Sequence, residues 1–141
     1  MAEQHKAAPM ALEICAMDRA PYRVETGEIT LPGEQGEFMV LPGHAPLIAT
    51  LDMGVMKTKV DGADRLFAIN GGIVRVLDNQ VLVLTRTAES GDDVDRERAE
   101  SAKKRAEGRL QGPHEKINVA RAEAALRRAM IRLKASGAAG A

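Results

Sequence analysis

The side chains best suited to chemistry cluster in the C-terminal third. Asp95, Arg98, Ala102 and Arg105 are spaced by three, four and three, so they share one face of a helix. Arg128 and Arg132, four apart, share a face of a second. If two such helices fold on each other, three or four guanidiniums can converge at one end. Arginine offers a planar fork of donors and a permanent charge, so the chemistry of that cluster is phosphate binding. The plainer use of the same residues is a solvated, salt-bridged exterior with Asp95 and Glu97 as partners, and on residues alone it is the commoner one. The three histidines, His5, His44 and His114, lie in separate regions without metal-ligand spacing. Cys15 is the single cysteine, which excludes an intramolecular disulfide, and is expected to be a small buried hydrophobe. Gly71-Gly72 lacks the following Gly-Lys-Ser/Thr of a phosphate loop, and is expected to mark a bulge or a close backbone approach. No nucleophile elbow or Walker motif occurs. The residues point to binding rather than catalysis.

Two helices must position the arginines. At Ser90-Gly91-Asp92-Asp93 the apolar pattern changes from period two to helical, with Asp92 and Asp93 as N-cap candidates that also complement the helix dipole. The first helix is predicted over about 94–110, ended by Gly112-Pro113, and the second over about 115–134. Ala99, Ala102 and Ala106 form one stripe. Val119, Ala122, Leu126, Ala129, Met130 and Leu133 form the other, so an antiparallel hairpin is expected. An alanine seam buries little apolar area, which makes the hairpin marginal by itself and able to take another arrangement.

Ahead of the hairpin the chain reads as short strands. Alternation puts Leu12, Ile14 and Ala16 on one face of the first, over 10–17. Further strands are predicted at 22–24, 27–31, 36–41, 47–51, 55–60, 65–69, 73–77 and 81–85. Asp61-Gly62 is a strong type I′ hairpin signal, and Asp78-Asn79-Gln80 marks a second hairpin. Pro32-Gly33 is expected to turn the chain, and Asp52 to end a strand. The apolar runs at 73–77 and 81–85 suit strands covered on much of both faces. Strands without intervening helices indicate a sandwich or barrel. Between two of them, Leu41-Pro42-Gly43-His44-Ala45-Pro46 forms a stiff corner: Pro42 fixes its own φ, Gly43 can take a positive one, and His44 is held on a rigid turn.

Composition sets the bounds. The 141 residues are 45% hydrophobic, 28% charged and only 2% aromatic. That is neither a disordered nor a membrane composition, and it lacks the aromatic platforms of a single-strand nucleic-acid binder. Residues 1–91 carry 8 Lys/Arg and 12 Asp/Glu, a net −4, and residues 92–141 carry 12 and 8, a net +4. A basic tail after an acidic body suggests that the two parts meet different surfaces. The first residues show no apolar signal core or Arg/Ser-rich pattern, and no apolar run approaches 18 residues, so a cytosolic, bacterial location is expected.

The run Gly36-Glu37-Phe38 followed by Leu41-Pro42-Gly43-His44-Ala45-Pro46-Leu47 resembles the signature segment of the ε subunit family of F-type ATP synthases, whose mitochondrial counterpart is called δ. Val94-Asp95-x-x-Arg98-Ala99 resembles the Ile/Leu-Asp-x-x-Arg-Ala motif of the family's ATP-binding members, with Val94 a conservative departure. The likeness runs from about residue 10 to 134. Met39, where a small residue is common, and the Gly/Ala-rich ending depart from it.

The resemblance implies an α+β protein: a ten-stranded β-sandwich over 1–91 that docks on the rotor, then a helical hairpin over 92–141 that regulates. It implies no catalysis and no required cofactor. It implies contact of His44 with the γ subunit and of Glu37 and Phe38 with the c-ring loops. An extended hairpin would meet the catalytic α and β subunits and block ATP hydrolysis. It further implies ATP as a regulatory ligand, held by Glu89, Val94, Asp95, Arg98, Ala99, Arg105, Arg128 and Arg132. Nucleic acid is not an implied partner, and membrane association, at the cytoplasmic face of the bacterial membrane, would come only through the complex. The alternative kept from another class is a stand-alone β-sandwich adaptor whose basic hairpin binds an acidic or nucleic-acid partner.

Overall fold

The computed structural model describes residues 8–112 and 118–137. His5, Pro113, His114 and the expected helix start at Glu115 lie outside them. The described chain divides into two compact units, up to Ala88 and from Glu89 onward.

The first unit holds seven strands in the order β2-β1-β7-β6-β5-β3-β4, and the short β8 (Ala88–Ser90) pairs with β6 off this path. They are β1 (Met10–Ala16), β2 (Tyr22–Thr26), β3 (Ile29–Gly33), β4 (Gly36–Val40), β5 (Leu47–Val60), β6 (Ala63–Leu77) and β7 (Gln80–Thr85). All neighbours on the path are antiparallel except β1 and β7, which run parallel with Ala11 opposite Gln80 and Ala16 opposite Thr85. Both hairpin signals hold. Asp61 and Gly62 have φ of 52° and 77°, and Asp78 and Asn79 have 49° and 59°, the positive pairs a type I′ turn needs.

β5 and β6 are each one strand where the sequence suggested two. Their register runs unchanged from Leu47 opposite Val76 to Val60 opposite Ala63. Asp52 does not end β5, because its strand neighbours keep their ladder across the middle. There Gly71 and Gly72 take φ of 69° and 132°. A Cβ on Gly72 would run into the Leu84 carbonyl, which is the close backbone approach expected of this pair. The first half of β5 and second half of β6 side with β7, β1 and β2; the other halves side with β3 and β4. The sandwich is thus one sheet of eight strands, and ten arise only when the two long strands are counted as halves.

Pro32-Gly33 is not the turn. Both residues belong to β3, opposite Glu37 and Gly36, and the chain reverses at Glu34-Gln35. The register of β3 on β5 shifts between Thr30 and Gly33, so the missing N–H of Pro32 falls at the irregularity. The β5 backbone passes so near that a Cβ on Gly54 would sit 2.5 Å from Pro32 Cβ.

The core lies between the sheet halves. Met10, Leu12 and Ile14 of β1 meet Ile29, Leu31, Val40, Met56, Phe67, Ile69, Val74, Val76, Val81 and Val83, all buried. Tyr22 and Phe67 pack with their rings tilted by 57° and their centroids 5.1 Å apart. β6 and β7 are covered on one face near their shared end, not two: Val74, Val76, Val81 and Val83 point in, while Ile73, Leu77 and Leu84 stay exposed. Ile48, on the neighbouring strand, is 73% exposed.

The second unit opens with a 3-10 turn at Gly91–Asp93, so Asp92 and Asp93 do not cap the helix. Asp95 does, accepting a hydrogen bond from the Arg98 amide ahead of α1 (Arg96–Gln111). Asn118 caps α2 (Val119–Ala135) through the Arg121 amide. The helices pack as an antiparallel pair, with Ala99 and Ala106 of α1 and Ala122, Ala129 and Leu133 of α2 buried. Val119 and Met130 lie outside the seam, Met130 being 40% exposed.

Candidate functional site

The corner after β4 is a β-turn. His44 N donates to Leu41 O at 3.1 Å across Pro42 and Gly43, and Gly43 has φ of 82°. Proline at the second position and a positive φ at the third define type II. His44 Nδ1 lies 2.6 Å from Ala45 O, and since a carbonyl can only accept, Nδ1 carries the proton and Nε2 is the ring's free pole. Gly43 N donates to Asn79 Oδ1 at 2.7 Å, which ties the corner to the β6–β7 turn. Asn79 was not singled out from sequence; its only signal was an Asx side chain in a tight turn.

Glu37 and Phe38 are neighbours on β4 and therefore face opposite sides. Glu37 is exposed opposite Pro32, and Phe38 is half-buried against the core and against Gly33. The strand separates the two residues expected to act together.

The hairpin brings together part of the arginine set. Arg132 and Glu89 form a two-pronged pair, Nε to Oε2 at 2.7 Å and Nη2 to Oε1 at 3.0 Å. The hydrogen bonds to Glu89 push the Arg132 pKa further above its ordinary value against the opposing effect of burial, and the charge of Asp95 adds to the rise. Asp95, Glu89 and Arg132 are thus one electrostatic group. Asp95 Oδ1 spends one acceptor on Arg98 N at 3.0 Å, so the Asp-x-x-Arg spacing is here the spacing of an N-cap.

Arg98, Arg105 and Arg128 are exposed. Arg96 Nη2 donates to Ser136 O at 2.7 Å, which sets the start of α1 beside the end of α2. At 1.5 Å per residue, Arg105 and Arg128 lie about 13.5 and 12 Å from that contact along opposed helices, hence at a similar height. Val94 and Ala99 are structural: Val94 N closes the 3-10 turn onto Gly91 O, and Ala99 is buried in the seam. The arrangement can offer guanidiniums to an anion, but Arg132 already holds a carboxylate. Arg96 was not anticipated. It lies outside the face spacing that selected the others, and only its contact with Ser136 reveals it.

Cys15 is not buried in the core. It is half-buried on the face opposite Leu12 and Ile14, with Sγ 3.2 Å from Glu13 Oε1. Arg23 Nε lies 3.2 Å from Glu13 Oε2. The hydrogen bond to Glu13 pushes the Cys15 thiol up, with burial and the carboxylate charge adding. Arg23, and then Cys15, hold the Glu13 carboxyl below its ordinary range. Among the described residues, no three or more His, Cys, Asp or Glu converge as metal ligands.

Two family models match end to end. Residues 9–91 match the ATP synthase, Delta/Epsilon chain, beta-sandwich domain. Residues 92–137 match the ATP synthase, Delta/Epsilon chain, long alpha-helix domain. The chain is 44% identical to an ATP synthase epsilon chain of Syntrophomonas wolfei over 126 residues, covering 89% of this chain and 92% of that one. It is 42% identical to the ATP synthase epsilon chain of Symbiobacterium thermophilum over 132 residues, covering 93% and 95%. Among solved structures it resembles a chain of the Euglena gracilis mitochondrial ATP synthase OSCP/F1/c-ring assembly, with a TM-score of 0.76, 25% identity and 95% and 85% coverage. A chain from the Tetrahymena thermophila mitochondrial central stalk and c-ring structure shares the fold, with a TM-score of 0.56 at 17% identity over 93% and 98%. With models covering both units and close relatives matched along nearly their whole length, the chain belongs to the ATP synthase delta/epsilon chain family.

Proposed function

We propose that this chain is the epsilon subunit of the central stalk of an F-type ATP synthase. It carries out no chemistry itself, joins the rotating stalk through its β-sandwich, and regulates ATP hydrolysis through its helical hairpin. The observation that carries this reading is the match of both segments, in order, to the delta/epsilon chain models. The likeness to a chain of an OSCP/F1/c-ring assembly supports the γ subunit, the c ring and the catalytic α and β subunits as partners. The division of labour follows the sequence halves, docking in 1–91 and regulation in 92–141. Attachment to the cytoplasmic face of the bacterial membrane comes through the complex. No helix among the described residues is long and apolar enough to cross a membrane.

In this reading the His44 corner meets γ. Its support is stiffness: a type II turn with a tethered central peptide presents a histidine at low entropic cost. Glu37, the exposed member of its pair, faces the c-ring loops, and Phe38 shapes the strand beneath it. The hairpin's alanine seam supports a regulatory role, because little buried area separates the compact state from an extended one. ATP on Arg98, Arg105 and Arg128, with Glu89, Asp95 and Arg132 alongside, favours the compact state to the extent that it binds that state more tightly.

The test is hydrolysis by an ATP synthase catalytic complex stripped of this subunit. Full-length protein and a version ending at Gly91 are added back. Both are expected to bind, with inhibition only by the full-length chain. Binding without inhibition by either removes the regulatory role. Failure of both to bind a complex from the matching source removes the stalk assignment.

A further inference from the structure

We propose that Asn79 is a positioning residue for the docking corner: its side-chain oxygen fixes the Pro42–Gly43 peptide plane and thereby anchors to the β6–β7 turn the corner that offers His44. The proposal rests on the reading that this corner meets γ.

Turns of types I and II differ by a flip of their central peptide. The turn's own hydrogen bond, His44 N to Leu41 O, leaves the Gly43 N–H pointing outward without a partner inside the turn. Asn79 Oδ1, 36 positions away in sequence, takes that N–H at 2.7 Å. Among the described residues it is the one side-chain hydrogen bond that reaches the corner from a distant segment. Asn79 is itself well anchored. Its backbone carbonyl accepts from Ala11 N at 2.9 Å, and its φ of 59° is set by the type I′ turn it shares with Asp78. The corner is thus held through one residue to the start of β1 and to the β6–β7 turn. Removing the acceptor frees the central peptide to flip and cuts the corner's tie to the β6–β7 turn, so His44, the next residue, is carried on a looser mount.

The test uses the full-length chain. Asn79→Gly keeps the positive φ without strain and removes the acceptor; Asn79→Asp keeps an acceptor oxygen in place. Exchange of the Gly43 amide hydrogen is followed by NMR, and affinity for an isolated γ subunit by titration. A hydrogen bond of ordinary net strength corresponds to about a 2–10-fold effect. Asn79→Gly is expected to speed Gly43 exchange and weaken γ binding by that factor, with other core amides unchanged, and Asn79→Asp is expected to restore both. Unchanged Gly43 exchange in Asn79→Gly overturns the proposal, as does failure of Asn79→Asp to restore. Faster exchange with unchanged γ affinity also overturns it; if His44→Ala weakens binding in the same assay, the docking reading survives alone. If His44→Ala has no effect, the docking reading fails and this proposal falls with it.

Discussion

Glu13 and Cys15 sit two residues apart on the same outward face of β1, and each changes the other's proton affinity. The thiol donates to a carboxylate that Arg23 keeps ionised, so losing the thiol proton would place two negative groups side by side. Alkylation of Cys15 is expected to follow a pH profile displaced above the usual thiol value of about 8.5, and Glu13→Gln should move it back down. A profile unchanged by Glu13→Gln would break the link. For Glu13 the sign is the opposite. Its folded pKa is depressed, so its contribution to stability is present above the unfolded value of about 4.3 and fades as pH falls through the lower folded one. The parity of Leu12 and Ile14 already puts Cys15 on the opposite face, so its position was legible; the expectation of burial weighed its apolar character and ignored the alternation. The reach of Asn79 to Gly43 was not legible, because nothing local signals a hydrogen bond across 36 residues.

Elements were legible where local chemistry decides them. Asp-Gly and Asp-Asn gave their hairpins because a type I′ turn needs residues that tolerate positive φ. Asp52 and Pro32 misled because each was read as a local stop, whereas long-range pairing with β6 and the register shift on β5 absorb them. The helical pair was predicted and its alanine seam found, but Asp95 rather than Asp92 or Asp93 caps α1, since a 3-10 turn intervenes. The nucleotide reading belongs to this element. Arg98→Ala with Arg105→Ala is expected to abolish ATP binding by the isolated protein while leaving its helix content intact, because both side chains are exposed and outside the buried seam. Unchanged binding in a calorimetric titration would remove these arginines from the proposal.

At the scale of the whole molecule the charge division is the guide. A segment of net +4 follows one of net −4. If the hairpin inhibits by meeting acidic surfaces, inhibition by the full-length chain should weaken as ionic strength rises, because the Debye length shrinks from about 10 Å at 0.1 M to about 3 Å at 1 M. Docking of the version ending at Gly91 should change less. Equal salt sensitivity of the two would tie the electrostatics to the sandwich instead.

The parallel pairing of β1 with β7 also constrains how the protein is made. Residue 11 finds its β7 partner at residue 80. At the usual pace of synthesis, about 5–20 residues per second, the first strand is finished several seconds before that partner exists. In the interval β1 has β2 as its sheet neighbour, and its other edge, whose N–H and C=O groups belong to the β7 ladder, stays unpaired. The nascent chain therefore carries an open strand edge on β1 until almost the whole sandwich has left the ribosome, and that interval is when it most needs a chaperone's protection.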